Sequence, residues 1–179
     1  PLKEADIAIK RVKQLNLDGF VIDAEREYKQ PGRDRDARAY MLRLRGGLPS
    51  TVPVGLSSYR YPSLHPQVPW KEFLLRCDFN MPQVYWLASY NPGDQLKRCV
   101  QEFQRLTPYR PIIPTGVAFK YGTWAPTVQQ ITEFMQTAQS LNMPAVNYWE
   151  WSRCRKYLPE IWELIKAYPW PGASLVADI

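Results

Sequence analysis

The chain has 179 residues, 45% hydrophobic and 22% charged, with a net charge of +6. Such a composition buries a core, which excludes a wholly disordered chain, and no apolar run reaches the roughly 18 residues of a membrane span. The basic residues are interleaved with acids, as Asp34 and Asp36 are among the arginines of residues 33–45. The excess charge therefore reads as a solvated face rather than a nucleic-acid stripe, and no nucleic-acid partner is expected.

Residues 3–16 place Ala5, Ile9 and Val12 at helical spacing with lysines on the other side. Gly19-Phe20-Val21-Ile22-Asp23-Ala24-Glu25 then reads as a short strand turning polar at its end. Residues 33–46 form a charged helix with Ala37, Met41 and Leu44 on one stripe, and Gly46-Gly47 is read as its stop. Residues 52–56 are a second strand weakened by Pro53. A Pro-rich loop and a short helix over 70–76 follow. In the second half the expected strands are 82–86, 112–119 and 145–149, and the expected helices 93–106, 127–141 and 157–167.

Strict alternation of strands with helices predicts an α/β protein with a parallel sheet and right-handed crossovers, a single β/α domain over 1–179. Two architectures satisfy it. An open five-stranded doubly wound sheet fits the length. A (β/α)8 barrel needs about 250 residues, so this chain would be its C-terminal five-eighths, truncated at its N-terminus. The polar residues gathered at strand ends favour the barrel.

In the first strand Val21, Asp23 and Glu25 point to one face. Two carboxylates two residues apart lie roughly 6–7 Å apart at their backbones, at the carboxyl end where α/β folds collect active sites. Like charges that close raise one pKa and leave the other low, which makes one acid and one base from similar groups. The alternative is a strand end running into a solvated turn. The other strand ends add Tyr59 after the second strand, Gln83 and Tyr85 on the third, and Trp149 with Glu150 on the fifth. Aromatic faces stack on apolar sugar rings and planar polar groups bond hydroxyls.

Other chemistries lack their motifs. No G-x-G-x-x-G, G-x-x-x-x-G-K or G-x-S-x-G occurs. His65, the single histidine, lies in the Pro-rich loop and reads as a surface residue. Cys77, Cys99 and Cys154 have neither C-x-x-C spacing nor histidine partners, so neither a metal site nor a disulfide framework is expected. No cofactor is expected either.

The Gly19–Glu25 stretch resembles the D-x-E strand of family 25 of the glycoside hydrolases, the Chalaropsis-type lysozymes, and of related barrel glycosidase-like proteins. Met81-Pro82-Gln83-Val84-Tyr85-Trp86 is similar to the P-Q-x-Y-W strand of uncharacterised glycosidase-like barrels, and Tyr148-Trp149-Glu150-Trp151 to their tryptophan-rich last strand. The resemblance covers residues 18–151. It implies an irregular β/α barrel cleaving a β-linked polysaccharide such as peptidoglycan, with Glu25 as proton donor and Asp23 as its acidic neighbour. Tyr59, Gln83, Tyr85, Trp149 and Glu150 would line the substrate groove. The family's first-strand acid has no counterpart, and its closing W-Q pair is Trp149-Glu150 here. A cell-wall hydrolase would imply an extracellular or phage-associated setting, and an incomplete barrel would imply self-association. The second function weighed is a non-catalytic carbohydrate- or partner-binding α/β domain.

Overall fold

The computed structural model describes residues 1–170; the last nine residues of the expected domain lie outside them. Five strands, β1 (Phe20–Asp23), β2 (Val54–Tyr59), β3 (Phe79–Gln83), β4 (Thr115–Val117) and β5 (Asn147–Trp149), form one sheet in the order β1-β2-β3-β4-β5. The β1–β2, β3–β4 and β4–β5 pairs are parallel. A doubly wound sheet reverses its strand order at a switch point. Strictly sequential order is that of part of a (β/α)8 barrel, and it decides between the two expected architectures. No helix among the described residues is long and apolar enough to cross a membrane.

The chain forms two compact units, residues 1–82 with 99–112, and residues 83–98 with 113 onward. In the first, α1 (Leu2–Leu15) buries Ala5, Ala8 and Val12, and ends on Asn16 in the left-handed region. The next helix, α2 (Arg33–Gly47), buries Ala37, Tyr40, Met41 and Leu44, the i, i+3, i+4, i+7 stripe of an amphipathic helix. Gly46 and Gly47 do not stop it: both are helical, and the chain turns extended only at Leu48. Gly47 is instead the point where Ile9 of α1 packs, since a Cβ there would sit 2.3 Å from the Ile9 Cδ1. The short α3 (Trp70–Leu74) adds Phe73, which meets Tyr28 edge-on at 4.8 Å. Trp70 meets Phe103, from α4 (Pro92–Gln104), at 5.5 Å.

In the second unit, α5 (Val128–Ser140) opens with a capping box. The Gln130 N–H donates to the Thr127 hydroxyl at 3.2 Å, and the Thr127 N–H donates to the Gln130 side chain at 3.1 Å. It buries Ile131, Phe134, Met135 and Ala138. Two helices close the described chain, α6 (Trp151–Tyr157) and α7 (Pro159–Ala167). The third strand runs three residues earlier than the sequence suggests. Trp86, counted there as its last residue, is fully buried against Phe134 at 5.1 Å. The three cysteines are free and buried, and burial pushes the Cys77 thiol up to about 12.

Candidate functional site

Along β1, Ile22 and Ala24 are buried while Val21 and Asp23 are exposed, as the two-residue period requires. Register pairs Asp23 with Ser57 and Val21 with Gly55. The buried Ser58 hydroxyl donates to the Ala24 carbonyl, and the Ala24 N–H donates to the Ser57 carbonyl at 3.0 Å. These bonds hold the ends of β1 and β2 side by side, so Glu25 and Tyr59 leave the sheet together, both half-buried. Burial raises the Tyr59 phenol pKa, and the charges of Glu25, Glu27 and Asp23 push it further up.

Asp23 and Glu25 have different surroundings. Asp23 borders two hollows beside α1: one of about 450 Å³, walled by Ile7, Arg11, Val21 and Tyr40, and one of about 420 Å³, walled by Glu4, Glu27, Arg33 and Asp36. Glu25 lines neither. It sits at the start of a short 3₁₀ turn, Arg26–Lys29, whose last residue sends its ammonium over the Tyr59 ring, 4.3 Å from the centroid. His65 stacks on the same ring at 3.8 Å with a 26° tilt. The sequence missed this imidazole. Pro62 opens a 3₁₀ turn, Pro62–Leu64, in which the His65 N–H donates to the Pro62 carbonyl at 3.0 Å and folds the loop back onto Tyr59. The Trp70 indole N–H donates to the His65 carbonyl at 3.0 Å and fixes it there. The proline-rich loop thus holds the histidine half-buried on the Tyr59 ring, with its Nδ1 covered. With its ring engaged by His65 and Lys29, Tyr59 offers its hydroxyl and edge more than a bare stacking face.

The second unit carries the remaining predicted residues. Gln83 and Tyr85 are half-buried on one face of the chain, and Val84 and Trp86 are buried on the other. Tyr85 meets Phe119 edge-on at 5.7 Å. The loop after this segment is pinned from below. Gln130 donates to the Ser89 carbonyl at 3.1 Å and accepts the Trp86 indole N–H at 3.4 Å, and Glu133 accepts the Gly93 N–H at 3.0 Å. At the end of β5, Trp149 is 59% exposed and Trp151, just beyond, 63%. Between them the Glu150 carboxylate caps α6. It accepts from the Ser152 hydroxyl, the Arg153 N–H at 2.9 Å and the Ser152 N–H at 3.3 Å, and lies 3.5 Å from the Arg153 guanidinium. The Ser152 hydrogen bond above all holds this carboxyl below its ordinary value. Tyr121, also exposed, begins a tight turn to Trp124 in which Gly122 takes a φ of +57°.

Among the described residues no group of three or more His, Cys, Asp or Glu side chains could hold a metal ion. Chemically, the first unit offers a half-buried carboxylate beside a phenol. The second offers exposed indole faces and planar polar groups.

No protein-family model and no curated protein matches the chain. Among solved structures it is similar to the PgaB (BpsB) glycoside hydrolase domain from Bordetella bronchiseptica, with a TM-score of 0.54 and 17% identity over 75% of this chain. The chain spans 44% of that structure's length. At this identity the likeness speaks to the fold alone.

Proposed function

We propose that this chain is a glycoside hydrolase-like domain acting on a β-linked polysaccharide, peptidoglycan among the candidates. Glu25 is the general acid that protonates the leaving glycosidic oxygen. Asp23 is the acidic neighbour that stabilises the oxocarbenium-like transition state. In the first unit Tyr59, and in the second Gln83, Tyr85 and Trp149, contact sugar hydroxyls and ring faces. The observation that carries the reading is the placement of Glu25 just beyond the carboxyl end of β1, half-buried, with Tyr59 closing the neighbouring strand β2. The glycosidase-like fold supports it.

The test is release of reducing ends from peptidoglycan, chitin and β-glucans by the wild type and by Glu25→Gln, both checked for folding by circular dichroism. Release by the wild type falling about 10²–10⁴-fold in the variant is the expected outcome, the range a general acid contributes. Release unchanged in Glu25→Gln would remove Glu25 from that role.

A second reading, glycan binding without hydrolysis, is favoured by one observation: the Glu150 carboxylate is engaged as a helix cap between two exposed tryptophans. Under it, folded wild type releases nothing, and Glu25→Gln retains full affinity for the same polymers. Self-association through the end strands of the sheet belongs to the same proposal and is read by light scattering across concentration.

A further inference from the structure

His65 is the protein's single histidine. Its ring stacks on Tyr59 at 3.8 Å while the Lys29 ammonium lies 4.3 Å from the same ring's centroid. Its Nδ1 is buried and has no hydrogen-bond partner. These facts fix the charge state the stack tolerates. A neutral imidazole carrying its proton on Nε2 leaves Nδ1 as a bare lone pair, which is the less costly orphan. An imidazolium must carry protons on both nitrogens, which would bury an N–H⁺ with no acceptor beside a second cation.

We infer, resting on the proposed role of Glu25, that His65 is a positioning residue of that site: the neutral imidazole clamps Tyr59 beside the Glu25 carboxylate, and protonation opens the clamp. The charged groups acting on the clamp are Lys29 on the imidazole, and Glu25, Glu27, Asp23 and Arg26 on the phenol. Burial and then Lys29 hold the imidazole below its ordinary 6.5. The sign follows from linkage. A base whose pKa is lower folded than unfolded stabilises the folded arrangement above the unfolded value, and that contribution is lost as pH falls through the folded value. The clamp is therefore closed at neutral pH and opens in mild acid.

One histidine makes the measurement direct, because the imidazole ring gives a single set of NMR signals. The experiment titrates the full chain between pH 7.5 and 4.5 (roughly the span in which an imidazole charges). It follows the His65 ring protons, their NOEs to Tyr59, and the Tyr59 ring signals. The expected midpoint lies below 6.5. The His65–Tyr59 NOEs vanish as the ring charges, and the Tyr59 signals shift at the same pH. Lys29→Gln should raise the midpoint by removing the neighbouring cation. His65→Phe, which keeps a ring on Tyr59 and loses the proton, should abolish that shift. A midpoint at or above 6.5, NOEs that persist on the charged ring, or Tyr59 signals that do not move with it would each overturn the inference. The readout uses no glycan, so failed glycan release with an intact clamp would sink the hydrolase reading alone. Unmoved Tyr59 signals in an active enzyme would sink only the clamp.

Discussion

The two ends of the strands in the first unit are built on opposite plans. At the amino ends of β2 and β3, Arg45 donates to the Arg76 carbonyl at 2.6 Å, to the Val52 carbonyl at 3.2 Å and to the Asp78 carboxylate, and Asp78 accepts the Val54 N–H at 2.7 Å. Arg110 donates to the Leu74 and Leu75 carbonyls at 2.7 and 3.2 Å. Guanidinium forks and backbone carbonyls saturate one another there. At the carboxyl ends, Asp23 borders two hollows, the Tyr59 ring is engaged by His65 and Lys29, and one imidazole nitrogen is orphaned. Saturation of this kind fixes a fold, whereas the carboxyl ends place polar groups around hollows and on one aromatic ring. Parallel β/α folds divide labour between strand ends in this way.

The largest effect should come from breaking the saturated end. Arg45→Met keeps the stem and removes a donor to two carbonyls and a carboxylate. The cost should be about 2–3 kcal/mol in urea unfolding, since each part-buried acceptor loses its partner and Asp78 recovers some hydration. Glycan release by the folded fraction should not change. A large loss of release at full occupancy of the fold would mean that the two ends are not independent.

Gln130 carries the same logic to the second unit, where a carboxyl-end loop is saturated rather than left open. Gln130→Ala removes one half of the capping box, the bond to the Ser89 carbonyl and the partner of the Trp86 indole. A loss of about 2 kcal/mol is expected, somewhat above a simple cap deletion. Glu133→Ala should cost less, because it holds only the Gly93 N–H at the start of α4. Equal effects would show that the Gln130 network contributes no more than one hydrogen bond.

What the sequence made legible divides along similar lines. Helices whose burial is repetitive, α1, α2 and α5, stand out because hydrophobic spacing records their buried face. The alternation of β1 is equally plain. Features depending on one long-range contact were not readable. Gly46-Gly47 looks like a helix stop, yet Gly47 serves the approach of Ile9 from another helix. Trp86 looks like strand, yet it is a core residue beneath Gln130. The whole of α6 was missed. It has a single buried residue, Cys154, and its start is defined by the Glu150 carboxylate, which reads in sequence as a group for chemistry. His65 was hidden because a Pro-rich loop signals exposure, and only the turn at Pro62 reveals the stack. Of the candidate residues, their position near strand ends was legible while the partners of each side chain were not.

Acid sharpens the contrast between the two ends. Burial alone would raise the Asp78 carboxyl, but hydrogen bonds from Arg45 and the Val54 N–H, with the charges of Arg45 and Arg110, hold it below its ordinary 3.8. A carboxyl depressed in the fold stabilises above its unfolded pKa, and that contribution is lost as pH falls through the folded one. His65 has the same sign in a higher window, below 6.5. Between about pH 6.5 and 4 the carboxyl end should therefore loosen while the amino end stays intact. Near-ultraviolet dichroism of the tyrosines, together with urea midpoints, should resolve two steps. His65→Phe should lack the first, and Asp78→Asn should have a smaller second. A single step shared by both variants would remove the distinction between the ends.

The smallest expected effect asks whether an orphaned polar atom marks a site wherever it occurs. The Tyr148 hydroxyl is as partnerless as the His65 Nδ1, and burial raises its pKa strongly. It lies on the covered side of β5, with Phe134 at 5.9 Å and Gly116 so close that a Cβ there would be 2.7 Å from the Tyr148 ring. Tyr148→Phe removes a desolvated hydroxyl that makes no bond, so stability should be unchanged or rise by up to about 1 kcal/mol, with glycan release unaffected. If Tyr148→Phe is neutral while His65→Phe flattens the acid response of Tyr59, what distinguishes the imidazole is its place on the Tyr59 ring at the carboxyl end of the strands. A loss of release in Tyr148→Phe would instead give the covered face of the second unit a part in the proposed activity.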